Sequence, residues 1–300
     1  MKKGIVVAFM LMVVAVGTVA FHLWSPWWWT PIASNWGYID DTIVITFWVT
    51  GLVFVGLIVF MAYCALRYRY REGRRAEYRP ENKKLEVWLT VLTAVGVAVM
   101  LTPGLFVWNQ FVTVPEDAAE VEVMGQQWQW SFRFPGKDGV LGTSNPRKFT
   151  FENPFGLNED DPNAKDDVLV EVGDLHLPIG KPIKMLLRSK DVLHDFYVPE
   201  FRAKMDLVPG QVTYFWLIPT RAGTFDILCF ELCGVGHHTM RAKVVVEEEG
   251  AFRAWLEQQP TFAKMAAQAG MDLEDGLKRV STEGGPDSAA REPTRQESSR

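Results

Sequence analysis

Cysteine is scarce in this chain, with three residues in 300, and histidine is little commoner, with five. Three cysteines cannot make a disulfide framework. No Cys-x-x-Cys-His run occurs, which excludes a covalently attached c-type haem. Charge is missing from two long stretches, Gly4–Phe21 and Thr42–Leu66. Yet the whole chain, 48% hydrophobic, has a mean hydropathy of zero, so apolar and polar residues are segregated along it. The first third reads as membrane-like and the rest as a soluble, slightly acidic region, within a length that holds one or two domains.

Met1-Lys2-Lys3 precedes the first apolar run, with small residues near Thr18 and Ala20. A positive start before an apolar stretch is what a secretory signal shows, and a run close to 20 residues is also near the length of a membrane span. Residues 1–22 are therefore a signal peptide or an extra transmembrane helix, and both readings stand at this point. Trp24, Trp27, Trp28, Trp29 and Trp36 follow as an interfacial aromatic belt. Thr42–Leu66 predicts a transmembrane helix, in which Cys64 is a small buried residue. After it come Arg67, Arg69, Arg71, Arg74, Arg75, Arg79, Lys83 and Lys84, then a third apolar run from about Leu85 to Phe111. Residues 40–111 thus read as a transmembrane hairpin. Its basic loop is cytoplasmic by the positive-inside rule, and its position between two spans argues against nucleic acid as a partner.

Beyond Val112 the pattern changes to short alternating runs punctuated by Gly and Pro, which predicts an all-β domain over 112–262. Strands are expected at 120–124, 128–134, 168–172, 182–188, 212–218, 223–228 and 240–246, the spacing of a β-sandwich. Gly136–Asp167 interrupts them with Gly, Pro, Asn and Asp and reads as a partly mobile surface excursion. Its acid cluster is either a solvated face or an attractor for a basic partner. Glu247–Glu257 predicts a short amphipathic helix, and 263–300 reads as a disordered tail.

One stretch organises the chemistry: Cys229-Phe-Glu-Leu-Cys-Gly-Val-Gly-His-His-Thr-Met240. Two thiolates, an imidazole and a thioether converge within one loop, a soft donor set that favours copper, zinc or iron–sulfur. Structural zinc is held by Cys and His alone, so the methionine discriminates for copper. A mononuclear electron-transfer copper needs one cysteine, and the second suggests two thiolates bridging two metals. A further imidazole is available from His194, within Asp191-Val-Leu-His-Asp-Phe-Tyr-Val-Pro199.

Cys229-x-Glu231-x-Cys233-Gly-x-x-His237-x-x-Met240, together with Val-Leu-His194, resembles the dinuclear copper (CuA) centre of the cytochrome c oxidase subunit II family. The resemblance covers about residues 40–260. It implies a membrane-anchored α plus all-β chain, in which a transmembrane helical hairpin precedes a cupredoxin-like Greek-key β-sandwich. It implies His194, Cys229, Glu231, Cys233, His237 and Met240 as copper ligands, Glu231 through its backbone carbonyl. It also implies a Mg or Mn ion reached by the Glu231 side chain at the contact with subunit I. Gly125-Gln-Gln-Trp128-Gln-Trp130 resembles the family's aromatic stretch, which implies Trp128 as the point where electrons arrive from cytochrome c; Gln129 replaces the usual tyrosine. Leu85-Glu86-Val-Trp88-x-Thr90 resembles the stretch whose glutamate stands at a proton-pathway entrance, which implies that role for Glu86, although the tryptophan is displaced by one position. Left to the residues alone, Glu86 is a carboxylate reaching the interface, and Asp195 is a candidate acceptor tuning His194.

By the same resemblance the copper domain lies on the periplasmic or outer side of a bacterial-type cell membrane. Its partners are subunit I, other oxidase subunits and cytochrome c, and subunit I performs oxygen reduction and proton pumping. Two rivals remain: a quinol oxidase subunit, whose donors would be expendable, and a membrane-anchored copper-delivery protein, whose site should be labile.

Overall fold

The computed structural model describes residues 2–25, 30–75, 77–78, 80–150 and 152–269. Trp27, Trp28 and Trp29 of the expected belt, Arg79 of the basic loop and the tail beyond 269 lie outside the described residues. The chain divides into two compact units, one of Met1–Val114 with Pro199–Arg202 and one of Pro115–Val198 with Ala203–Arg300.

The first unit holds three helices: α1 (Lys2–Trp24), α2 (Gly37–Arg67) and α3 (Lys83–Val112). All three are long and apolar enough to cross a membrane. α1 runs antiparallel to α2 along a seam of small residues: Ala8, Ala15 and Ala62 are buried, and a side chain on Gly4 would come 2.8 Å from the Ala65 carbonyl oxygen. In an apolar solvent, close backbone approach of this kind is what holds helices together. α3 starts at Asn82, whose side chain accepts from the Leu85 N–H, while the Glu86 carboxylate accepts from the Asn82 N–H at 3.4 Å. This is a reciprocal cap that satisfies otherwise orphaned donors. Trp36 departs from the aromatic-belt expectation. It is 2% exposed and its ring lies 5.1 Å from that of Phe111. Arg202 also belongs to this unit, clamping Asp40 with two hydrogen bonds of 2.6 and 3.0 Å.

Among the described residues the second unit is a β-sandwich of ten strands. They are β1 (Ala119–Gln126), β2 (Gln129–Phe134), β3 (Val168–Val170), β4 (Leu175–Pro178), β5 (Ile183–Ser189), β6 (His194–Val198), β7 (Ala203–Leu207), β8 (Thr213–Leu217), β9 (Gly223–Cys229) and β10 (Arg241–Glu247). One sheet has the order β3-β2-β1-β5-β8 and the other β4-β10-β9-β6-β7. Alternating apolar residues from both inner faces, among them Phe132, Met185, Leu187, Phe196, Phe215, Ile227 and Val244, form the core. β4, β6 and β7 have no counterpart among the expected strands, being short and carrying His, Lys or Asp within them. Trp128, expected in a strand, instead occupies the turn between β1 and β2.

The 136–167 excursion is not a loose surface loop. Phe155, Leu157 and Ala164 are fully buried against Met124, Leu169 and Phe262. Arg133 binds Asp167 at 2.6 Å and also Glu122, and Arg188 binds Glu122 at 2.8 Å, all within the interior. The acid cluster is largely consumed internally. Asp161 accepts from Thr143 (N and Oγ1), Asp166 from the Lys137 and Asp138 N–H groups, and Glu159 from Lys148. Helix α4 (Glu249–Leu256) matches expectation and stacks Trp255 on His176, ring centroids 4.0 Å apart. A further helix, α5 (Phe262–Gln268), stands where the tail was expected to begin, with Phe262 and Ala266 buried.

Candidate metal centre

The donors come from one end of the second sheet. His194 opens β6, Cys229 closes β9, and Phe196 pairs with Cys229 across the two strands. The loop 230–239 then returns to β10, closed at its base by the Cys229 N–H donating to the Met240 carbonyl at 3.3 Å. Gly234 adopts φ +117°, a conformation that side chains other than glycine's rarely allow, and this folds the loop so that Cys233 turns inward.

The two sulfurs lie 3.7 Å apart, far beyond a disulfide bond. On the Cys229 side are His194 Nδ1 at 3.8 Å and the Glu231 carbonyl oxygen at 3.3 Å. On the Cys233 side are His237 Nδ1 at 3.5 Å and Met240 Sδ at 3.8 Å. His194, Cys229 and Cys233 form a group whose donor atoms all fall within 4.8 Å of one another, a set able to hold a metal ion. His194, Cys233 and Met240 are almost fully buried. Such burial suits soft ligands that must keep water from the metal. His238 beside them is exposed.

The electrostatics fit a site for cations. Burial raises the Cys229 thiol, but His194, the backbone of Asp195 and Glu231, and Cys233 outweigh it, and the net direction is down. Burial and the facing Cys229 sulfur push Cys233 up. A metal held by both sulfurs would need both as thiolates, which opposes the upward shift at Cys233. Burial lowers His194, yet its contacts with Cys229 and Asp191 prevail and raise it.

The acceptor that orients His194 is Asp191, whose Oδ1 lies 2.8 Å from His194 Nε2. A carboxylate there fixes the tautomer with Nε2 protonated and Nδ1 free for a metal. Asp195, the acceptor considered from the sequence, is turned away because adjacent strand residues face opposite sides. It is buried with its Oδ2 3.4 Å from Lys204 Nζ. The same ammonium lies 3.8 Å from Glu231 Oε1, so the Glu231 side chain faces a cation of this chain's own. Trp128 sits beside the loop, 37% exposed, with its Nε1–H donating to the Cys233 carbonyl at 3.2 Å. A methyl on Gly236 would fall 2.3 Å from its ring. Glu86, on the first turn of α3, belongs to the other unit and is solvent-facing. Asp191, Gln127 and Lys204 escaped the sequence reading, because nothing in their spacing distinguishes a loop carboxylate, amide or amine that folds back on a ligand.

Residues 119–248 match the family described as "Cytochrome C oxidase subunit II, periplasmic domain". The chain is 70% identical over 262 residues to the alternative cytochrome c oxidase subunit 2 of Bradyrhizobium diazoefficiens, covering 87% of this chain and 95% of the relative. It is 27% identical over 241 residues to the cytochrome c oxidase subunit 2 of Cereibacter sphaeroides, covering 76% and 77%. The crystal structure of the periplasmic domain of subunit II of cytochrome oxidase from Bradyrhizobium japonicum aligns at 26% identity over 48% of this chain and 95% of that one, with a TM-score of 0.36.

Proposed function

Because this chain belongs to the cytochrome c oxidase subunit II family, we propose that it holds a dinuclear copper centre and relays electrons from cytochrome c to haem in subunit I. The observation that carries the reading is the partition of donors about two sulfurs 3.7 Å apart, His194 and the Glu231 carbonyl on one side, His237 and Met240 on the other. A bound copper pair supplies one-electron storage shared over both metals. Cys229, Cys233, His194, His237, Met240 and the Glu231 carbonyl would hold it, with Asp191 orienting His194. The rigid strands β6, β9 and β10 hold the donors still when the charge changes. Trp128, half open to solvent and bonded to the Cys233 carbonyl, is the point where cytochrome c delivers its electron.

Oxygen reduction and proton pumping fall to subunit I. In this reading the hairpin α2–α3 spans the cell membrane with its basic loop inside and the copper domain on the periplasmic side. Glu86, at the inner end of α3, stands at a proton-pathway entrance. A Mg or Mn ion at Glu231 would need its other oxygen ligands from subunit I, since within this chain the carboxylate faces Lys204. A quinol oxidase subunit needs none of this convergence.

The test is copper stoichiometry and electron paramagnetic resonance of the oxidised, copper-loaded full chain in detergent. Two coppers sharing one unpaired electron are expected. A single localised copper, or a preference for zinc, defeats the reading.

A further inference from the structure

We propose that Gln127 is a positioning residue of the metal centre, a single side chain and amide that tie together the two halves of the donor set and the tryptophan beside them. Gln126 and Gln129 form the last pair of the β1–β2 hairpin, so Gln127 and Trp128 are its two-residue tip. This hairpin belongs to the first sheet, whereas every donor sits at the end of the second. The tip crosses from one sheet to the other.

It does so with two bonds in opposite directions. The Gln127 backbone N–H donates to Asp191 Oδ2 at 2.7 Å, and the other oxygen of that carboxylate holds His194 Nε2. The Gln127 side-chain Nε2 donates to the Cys233 carbonyl at 2.8 Å, beside the bond from Trp128 Nε1 to the same oxygen. That carbonyl thereby uses both of its lone pairs on the hairpin tip. Around it the loop has little other anchorage, since Leu232 is 81% and Val235 87% exposed. A methyl on Gly234 would come 2.9 Å from Gln127 Nε2, so the loop is also shaped to receive this amide. Without the side-chain bond the Cys233 carbonyl is tied to the hairpin tip by Trp128 alone and the loop opens more readily. The bond from the backbone to Asp191 survives any side-chain substitution, so the effect must be one-sided. Cys233 loosens while Cys229, at the end of a strand, does not.

The inference rests on the copper reading only for its second measurement. Full-length protein in detergent, with Cys64→Ser so that only the two site thiols react, is compared with Gln127→Glu, which keeps the shape and loses the donor. Gln127→Leu is the uncharged control. In the metal-free protein, single-hit alkylation by iodoacetamide is located by fragmentation mass spectrometry. Both variants are expected to accelerate modification of Cys233 about ten-fold, the equivalent of one hydrogen bond, with Cys229 and the melting midpoint of the β-domain little changed. After copper loading, release to a chelator should quicken by about ten-fold or more. Unchanged rates, or Cys229 and Cys233 accelerating together, overturn the proposal. Failure of the unsubstituted protein to take up copper would instead defeat the functional reading and leave the thiol result standing.

Discussion

At the scale of single residues the donors were legible because their chemistry is rare. Cysteine and methionine at fixed offsets around a histidine form a donor set that few other purposes require. Carboxylates were not legible, because Asp191, Asp195 and Asp206 look alike in one dimension and only burial separates them. Burial first, and the neighbouring Asp206 carboxyl second, raise Asp195 to about 8 against the pull of Lys204. An unfolded aspartate titrates near 3.9, so between those values the folded chain binds an extra proton. The contribution is fully present below the unfolded value and is lost as pH rises through about 8, at no more than about 1.4 kcal/mol per pH unit. Asp195→Asn mimics the protonated acid. Chemical denaturation of the metal-free protein at pH 5, 6.5 and 8 should show the variant gaining on the parent as pH rises. Parallel curves for the two proteins would refute this.

At the scale of elements, the excursion between β2 and β3 shows how composition can mislead. Its Gly, Pro, Asn and Asp mark turns correctly, but turns say nothing of what the intervening apolar residues cover. Phe155, Leu157 and Ala164 are fully buried, and α5 closes over them with Phe262. Four charged side chains, Glu122, Arg133, Asp167 and Arg188, pin its root in the interior. Arg133 is the joint, touching Glu122, Asp167 and the Gly142 carbonyl. Removing one partner of such a network leaves buried charge uncompensated, at about 3–5 kcal/mol. Arg133→Met should therefore lower the melting midpoint by about 10 °C, at about 2–4 °C per kcal/mol for a domain of this size, and open 136–167 to limited proteolysis. Replacing Glu122, Asp167 and Arg188 together with apolar residues in the same protein should recover most of the loss, since no buried charge is then left without its partner. A mild effect of Arg133→Met alone would mean the network is not what anchors the excursion.

At the scale of the molecule, three apolar helices and one β-sandwich divide the work between a membrane and an aqueous face. Arg67 ends α2 and Arg69, Arg71, Arg74 and Arg75 follow it; in the proposed topology, by the positive-inside rule, that end lies inside. Intact cells carrying Arg74→Cys or Val212→Cys in a background with Cys64, Cys229 and Cys233 all changed to serine should discriminate the two faces toward a membrane-impermeant maleimide. Position 212, exposed on the β-domain, should react, and position 74 only after the cells are opened. The reverse pattern would invert the topology. The antiparallel seam of Gly4, Ala8 and Ala15 on Ala62 and Ala65 gives the first helix a packing partner, which neither its length nor its charge reveals.

Composition, period and local spacing were enough for the class of the chain, the apolar runs, the β-domain and the six candidate donors, because each of these is a local property of the chain. Which groups meet emerged from the folded chain alone. It assigned His194 to Asp191 rather than Asp195, gave Lys204 to Glu231, buried Trp36 and the excursion, and placed Gln127 between His194 and Cys233. Those outcomes depend on contacts between residues far apart in the chain, 106 positions in the case of Gln127 and Cys233. Spacing along a chain carries no record of such contacts, since they arise from the order of strands in two sheets and from what each buried group must exclude or satisfy.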